Sequence, residues 1–213
     1  MQVLNNYHNI KKQIEILNKK TNLIVVTKGQ NLETIKIILD AGHLHFGENR
    51  VQEASLKWSK YLANNSNINL HMIGRLQSNK AKEAINIFNY IHSLDNENLA
   101  QTLSKLEKNY EKKINYFIQI NIGEEKQKSG VELSKAIEFA NYCMFDLKLN
   151  VLGLMCIPPV NEKTLFYFNK LKDLNYQLNL NNLSMGMSND YEEAIKCGAN
   201  YVRIGSAIFG SLN

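Results

Sequence analysis

Residues 23–42 read LIVVTKGQNLETIKIILDAG, and the hydrophobic period changes inside that stretch. Leu23-Ile24-Val25-Val26 is a short continuous apolar run, as expected of a parallel strand covered on both faces. Leu32, Ile35, Ile38 and Leu39 then recur at helical spacing, and Gly42 stands where a helix C-terminus favours glycine. A strand followed at once by an amphipathic helix is a βα unit. Working outward, the unit repeats. Strands are predicted near 43–47, 70–73, 90–94, 117–122, 149–157, 182–184 and 201–204. Between them, helices are predicted near 50–62, 77–88, 97–110, 132–143, 162–178 and 189–197. Upstream, Val3, Tyr7, Ile10, Ile14 and Leu17 step by four, three, four and three, which predicts a one-faced N-terminal helix within residues 1–20.

Eight strands alternating with helices demand right-handed crossovers and a parallel sheet. Eight units suit a closed (β/α)8 TIM barrel over residues 23–210, with 213 residues near the short end of that fold's range. A doubly wound open sheet is the alternative, but no strand is followed by a GxGxxG turn. Gln119 and Asn121 alternate with Ile118, Ile120 and Ile122, so a barrel would turn the amides inward and the isoleucines toward the helices. At about 150 residues per domain, the length favours one domain spanning 1–213.

Composition narrows the function classes. The 44% hydrophobic and 21% charged content is that of a globular chain and excludes wholesale disorder. The net charge of +5 comes from lysines such as Lys11, Lys12, Lys19 and Lys20 scattered among Asn and Glu. That pattern suits a solvated surface tolerant of anionic ligands better than a nucleic-acid stripe, so no nucleic-acid partner is expected. Cys143, Cys156 and Cys197 are odd in number and form no CxxC pair, which supports neither a zinc site nor a disulfide framework. The opening residues lack the order of a signal peptide, and no apolar run approaches the roughly 20 residues of a membrane span. A cytoplasmic protein with no membrane partner is expected.

In a barrel the functional groups lie at the C-terminal ends of the strands. Lys28, two positions past Val26, stands there. It reads either as a solvated side chain or as a partly buried amine able to form a Schiff base with an aldehyde. Leu183-Ser184-Met185-Gly186-Met187-Ser188 ends one strand and opens a helix, with Asn189 and Glu192 spaced as an N-cap and its reciprocal partner. Arg203-Ile204-Gly205-Ser206 ends the last strand, and a further helix can begin in the short segment to Gly210. Two such loops after the seventh and eighth strands predict a phosphate cup, against the alternative of simple turns and caps. Glu48 and Asn49 would either orient a ligand or cap the next helix. His43 and His45 share a strand face, but no third ligand stands at sensible spacing, so no metal site is expected. His71 and His92 read as satisfied strand-end histidines, and Met155 and Cys156 as core. There is no Gly-x-Ser-x-Gly elbow and no Walker loop.

Taken in order, Val26-Thr27-Lys28, residues 46–53 (FGENRVQE), residues 71–80 (HMIGRLQSNK), Gln119 to Ile122 with Lys128-Ser129-Gly130, Gly153-Leu154-Met155, residues 183–188 (LSMGMS) and residues 202–210 (VRIGSAIFG) resemble the pyridoxal phosphate homeostasis protein family (YggS/PROSC-type) over nearly the whole chain. The resemblance implies the fold of the alanine racemase N-terminal barrel and pyridoxal 5′-phosphate (PLP) as cofactor, held without evident catalysis. It implies Lys28 as the aldimine lysine, Ser188, Gly205 and Ser206 at the phosphate with Ser184 nearby, and Asn49 against the ring. It places Arg203 at the pyridine nitrogen. A guanidinium does not give up its proton, so that nitrogen would stay unprotonated and the ring would be a weaker electron sink, suited to storage. Where many relatives carry a second lysine two positions after the first, this chain has Gln30. PLP-dependent apo-enzymes are the implied partners, and a monomer is expected with a dimer as the alternative. The N-terminal stripe would close the lower end of the barrel or form that dimer. The competing function is a Schiff-base enzyme, a small racemase or lyase, with Tyr201 as an interior proton donor. Racemases of the related fold draw an opposing base from a second domain, which residues 1–213 do not contain.

Overall fold

Each apolar run in the sequence becomes a strand because its β-branched residues pack on both faces, once toward the lumen and once toward a helix. In the computed structural model, which describes residues 2–63, 67–160 and 162–210, the strands are β1 (Asn22–Val26), β2 (His45–Glu48), β3 (Asn69–Met72), β4 (Tyr90–Leu94), β5 (Asn115–Ile120), β6 (Asn150–Cys156), β7 (Asn182–Ser184) and β8 (Tyr201–Ile204). They form a closed parallel barrel in sequence order. β8 returns to β1 through four paired positions, Asn22 with Tyr201 up to Val25 with Ile204. The helices are α1 (Gln2–Leu17), α2 (Leu32–Asp40), α3 (Val51–Leu62), α4 (Ala81–Ile87), α5 (Glu97–Tyr110), α6 (Ala136–Asn141), α7 (Thr164–Gln177), α8 (Tyr191–Lys196) and α9 (Ser206–Phe209). The eight-stranded barrel and the N-terminal helix expected from periodicity are both present.

The core divides as the two-residue period requires. Leu23, Val25, Phe46, Leu70, Ile91, Ile118, Ile120, Leu154 and Val202 face the helices in one continuous apolar shell. Ile24, Phe117, Met155 and Tyr201 fill the lumen as a second, small cluster. Met155 and Cys156 are both fully buried, on opposite faces of β6. Gln119 is buried on the inward face of β5, as expected, while Ile118 and Ile120 join the outer shell.

α9 is a single turn, too short to cover the seam between β8 and β1. α1 does that work, burying Tyr7, Ile10 and Ile14 and packing along α2, α8 and α9. Asn6 donates to the Ile208 carbonyl at 3.0 Å and the Tyr7 hydroxyl meets His43 Nδ1 at 3.2 Å. The stripe therefore faces the flank of the barrel and does not cap its lower end. His43 precedes β2 and is spent on this contact, so His43 and His45 do not share a strand face; among the described residues no cluster could hold a metal ion. All three cysteines are free and buried. Among the described residues no helix is long and apolar enough to cross a membrane.

Candidate functional site

The C-terminal ends of the strands surround a cavity of about 810 Å³ whose wall includes Lys28, Asn49, Ser188, Arg203, Gly205 and Ser206. Arg203 stands on β8 itself, and the other five follow the ends of β1, β2, β7 and β8, Ser206 as the first residue of α9. Ser184 is not in the wall; it lies below, fully buried in the lumen.

Lys28 is exposed at the rim, so it is not the partly buried amine that one reading of the sequence required. Its loop is nevertheless held from behind. The Gly29 N–H donates to Glu53 Oε1 at 2.7 Å. Lys57 Nζ, 8% exposed, donates to the Thr27 carbonyl at 2.8 Å and to Glu48 Oε1 and Glu53 Oε1 at 2.9 and 3.0 Å. Glu48 Oε1 also accepts from Thr27 Oγ1 at 2.7 Å and from Trp58 Nε1 at 2.9 Å. Glu48 thus faces the helix layer and neither contacts the cavity nor caps α3; it braces the strand end that carries Lys28. Lys57 was not expected from the sequence. Its signal was there: it lies between Ala54 and Trp58 on the buried face of α3, where a lysine requires partners.

Asn49 does reach the cavity, and its Oδ1 is buried without a hydrogen-bond partner. Its backbone is pressed by the next loop, because a Cβ on Gly74 would stand 2.3 Å from the Asn49 carbonyl oxygen. On the opposite side, a Cβ on Gly205 would meet Val26 at 3.1 to 3.2 Å, so glycine there keeps the end of β8 close to β1. The Ala207 N–H donates to Ser188 Oγ at 3.3 Å and ties the two predicted phosphate loops together. The helix after β7 starts later than expected. Asp190, not Asn189, precedes α8, and its Oδ1 accepts from the Met187 N–H at 2.6 Å, which folds the loop back on itself before the helix begins.

Arg203 is 4% exposed. Its guanidinium donates to Ser184 Oγ at 2.7 Å and to the Cys156 carbonyl at 2.9 Å, and none of the ion pairs among the described residues includes it. Burial pulls it down from its usual very high range. An arginine has five N–H donors, so the side chain arrives at the cavity floor with donors to spare.

His71 and His92 are not at strand ends. They lie inside the lumen, fully buried, in a file that runs from His45 to Ser184. The signal was inward parity on three consecutive strands, the same argument that placed Gln119. Tyr201 also faces the lumen, but in the apolar cluster beneath the cavity and outside its wall. A smaller cavity of about 340 Å³ adjoins the first across Asn49, Ile73 and Ile157 and is lined by Arg75, Gln119, Asn121 and Lys128. Lys128 is paired there with Glu125 at 2.5 Å.

Comparison with known proteins places this geometry. Residues 3–213 match the model of the alanine racemase N-terminal domain family. A protein of Haemophilus influenzae named pyridoxal phosphate homeostasis protein is 34% identical, over 100% of this chain and 97% of its own length. One of the same name from Aquifex aeolicus is 39% identical, over 84% of this chain and 81% of its own. The PipY protein of Synechococcus elongatus, solved with PLP bound, superimposes with a TM-score of 0.87 at 30% identity, over 98% of this chain and all of its own. An alanine racemase of Clostridium difficile shares the fold alone, with a TM-score of 0.75 at 12% identity over 94% of this chain and 55% of the racemase.

Proposed function

The chain belongs to the pyridoxal phosphate homeostasis protein family, within the alanine racemase N-terminal domain fold, and from that premise we propose that it binds PLP as a carrier and buffer in the cytoplasm, with residues 1–213 acting as one PLP-binding barrel. The observation that carries the reading is the gathering of an amine, a buried orphan amide oxygen, two hydroxyls and an unpaired buried guanidinium around one cavity.

These residues fit the cofactor. Lys28 is an accessible primary amine for its aldehyde, and Ser188 and Ser206 are hydroxyls for its phosphate, with Gly205 beside them in the cavity wall. The spare donors of Arg203 suit an unprotonated ring nitrogen, and the Asn49 amide would meet the ring. PLP in this site would supply a reactive aldehyde and an electron-accepting ring. The protein's part is to bind and orient. A donor-only guanidinium cannot give the ring nitrogen a proton, which keeps that ring a weak electron sink. Ser184 acts beneath the site by accepting from Arg203, not by touching the phosphate.

The competing reading, a racemase or lyase, needs a second proton donor at the site. Tyr201 stands outside the cavity wall, and burial among apolar side chains raises its pKa, the neighbouring Tyr90 adding to the effect. Both features favour the carrier. PLP-dependent apo-enzymes are the proposed recipients, and a monomer the proposed state.

The test is an absorbance titration of the protein with PLP, before and after borohydride, with Lys28→Ala alongside. A visible band that borohydride abolishes in the wild type and that is absent from the variant is expected. No band in either protein would overturn the reading. Lysine-dependent racemisation of alanine at an enzyme-like rate would overturn the carrier assignment while leaving the binding site in place.

A further inference from the structure

A polar file crosses the barrel lumen beneath the cavity. His45 Nδ1 meets His71 Nε2 at 3.0 Å, His71 Nδ1 meets His92 Nε2 at 2.9 Å, and His92 Nδ1 meets Ser184 Oγ at 2.8 Å. The first three residues stand on β2, β3 and β4, and the last contact crosses the lumen to β7, where Ser184 accepts from Arg203 Nη1 at 2.7 Å. Aromatic rings hold the imidazole planes: Tyr90 stacks on His71 at 4.2 Å and 15°, and Phe117 on His92 at 4.4 Å and 15°.

The direction of every bond in this file follows from one end. Arginine can only donate, so Ser184 Oγ accepts from it. Ser184 is fully buried, and the only other partner it has among the described residues is His92, so its own proton must go to His92 Nδ1. His92 then carries its proton on Nε2 and donates to His71 Nδ1. His71, by the same step, carries its proton on Nε2 and donates to His45 Nδ1. Three imidazoles are thereby set in one tautomer, each with one nitrogen accepting. None can become a cation without placing two protons in one contact or, at His92, turning the Ser184 proton away from its partner, and burial acts in the same direction on all three.

We propose that His92 is a positioning residue for Arg203: by accepting the Ser184 proton it fixes the rotation of that hydroxyl, which holds the oxygen lone pair toward the guanidinium and locks Arg203 in place at the cavity wall. The consequence for ligand binding rests on the PLP reading above; the tautomers do not.

Long-range nitrogen–proton NMR correlation on histidine-labelled, cofactor-free protein at neutral pH reads the file directly. His45, His71 and His92 should all appear as neutral Nε2–H tautomers. An Nδ1–H tautomer or an imidazolium at any of the three would overturn the file, whether or not PLP binds. In His92→Leu, His71 and His45 should relax to tautomer mixtures. PLP should bind about tenfold more weakly, as for one lost hydrogen bond to a charged group, with a shifted absorbance band. His92→Gln, which can accept and donate in the same places, should restore both readouts and also decides the matter if the leucine variant fails to fold. A folded His92→Leu with wild-type affinity and an unmoved band would overturn the positioning role. If the wild type takes no PLP, the functional reading fails and the tautomers alone decide the file.

Discussion

The mouth and the lumen of this barrel treat polar groups in opposite ways. In the lumen, His71, His92 and Ser184 are fully buried and each is hydrogen-bonded on both sides. At the mouth, Asn49 Oδ1 is buried without a partner, Arg203 has donors beyond the two it uses, and Lys28 stands exposed. A buried polar group left unpaired costs free energy. Glu48 Oε2 and Ser93 Oγ are also buried without a partner away from the mouth, so what marks the mouth is that Asn49 Oδ1, the spare donors of Arg203 and the Lys28 amine converge on one cavity. Two lysines 29 residues apart make the same contrast: Lys28 faces solvent, whereas Lys57 is locked to two carboxylates and a carbonyl.

That contrast can be broken by substitution. Lys57→Met should destabilise the protein by about 3–5 kcal/mol, because it leaves Glu48 charged and uncompensated at zero exposure. Lys28→Ala should stay within about 0.5 kcal/mol of the wild type. Denaturant melts of the two variants check the pair, and equal losses would erase the distinction.

Acid sharpens the comparison next. Burial lowers the pKa of His43 to about 4, and also lowers His45, His71 and His92. In the unfolded chain each would return to about 6.5. The unfolded state therefore binds more protons as pH falls below about 6.5, and stability present above that value is lost through about 4. His43 alone accounts for about 3 kcal/mol of this loss. At pH 5, unfolding should take up about three protons at His43, His71 and His92, with any further uptake coming from His45, measurable from the pH dependence of the melting curve. A flat profile from pH 7 to 4.5 would contradict burial of neutral imidazoles.

The smallest effect is expected at the rim. Ser188→Ala removes a hydroxyl that already accepts, at 3.3 Å, from the Ala207 N–H. A loss of about 1 kcal/mol in PLP affinity, roughly fivefold, is predicted, with a stability loss of no more than about 1 kcal/mol from the long Ala207 bond. Isothermal titration with PLP reads this, and an unchanged affinity would move the phosphate away from Ser188.

The barrel was legible because its signals are periodic. Val and Ile runs alternate with stripes at helical spacing from Leu23 to Ile204, and every strand and every crossover helix between β1 and β8 stands near its predicted place. Boundaries moved where local hydrogen bonding intervened: Asp190 holds the Met187 N–H and delays α8 past Asn189. Lys28, Asn49, Ser188, Arg203, Gly205 and Ser206 were legible as the ends of strands, which the barrel gathers at one rim. Ser184 was read one level too high, since the last residue of a strand as short as β7 still faces the lumen. The bracing around Lys57 and the histidine file left partial signals, a lysine on a buried helix face and inward parity on three strands, but which side chains meet across as many as 92 positions of chain is carried by no local pattern.

The most direct test of the central claim is a crystal structure of the protein grown with PLP. Continuous density from Lys28 Nζ into the cavity is predicted, with the phosphate beside Ser188, Gly205 and Ser206 and the ring nitrogen facing Arg203. Density confined to the neighbouring cavity beside Arg75 and Lys128, with Lys28 free, would contradict it.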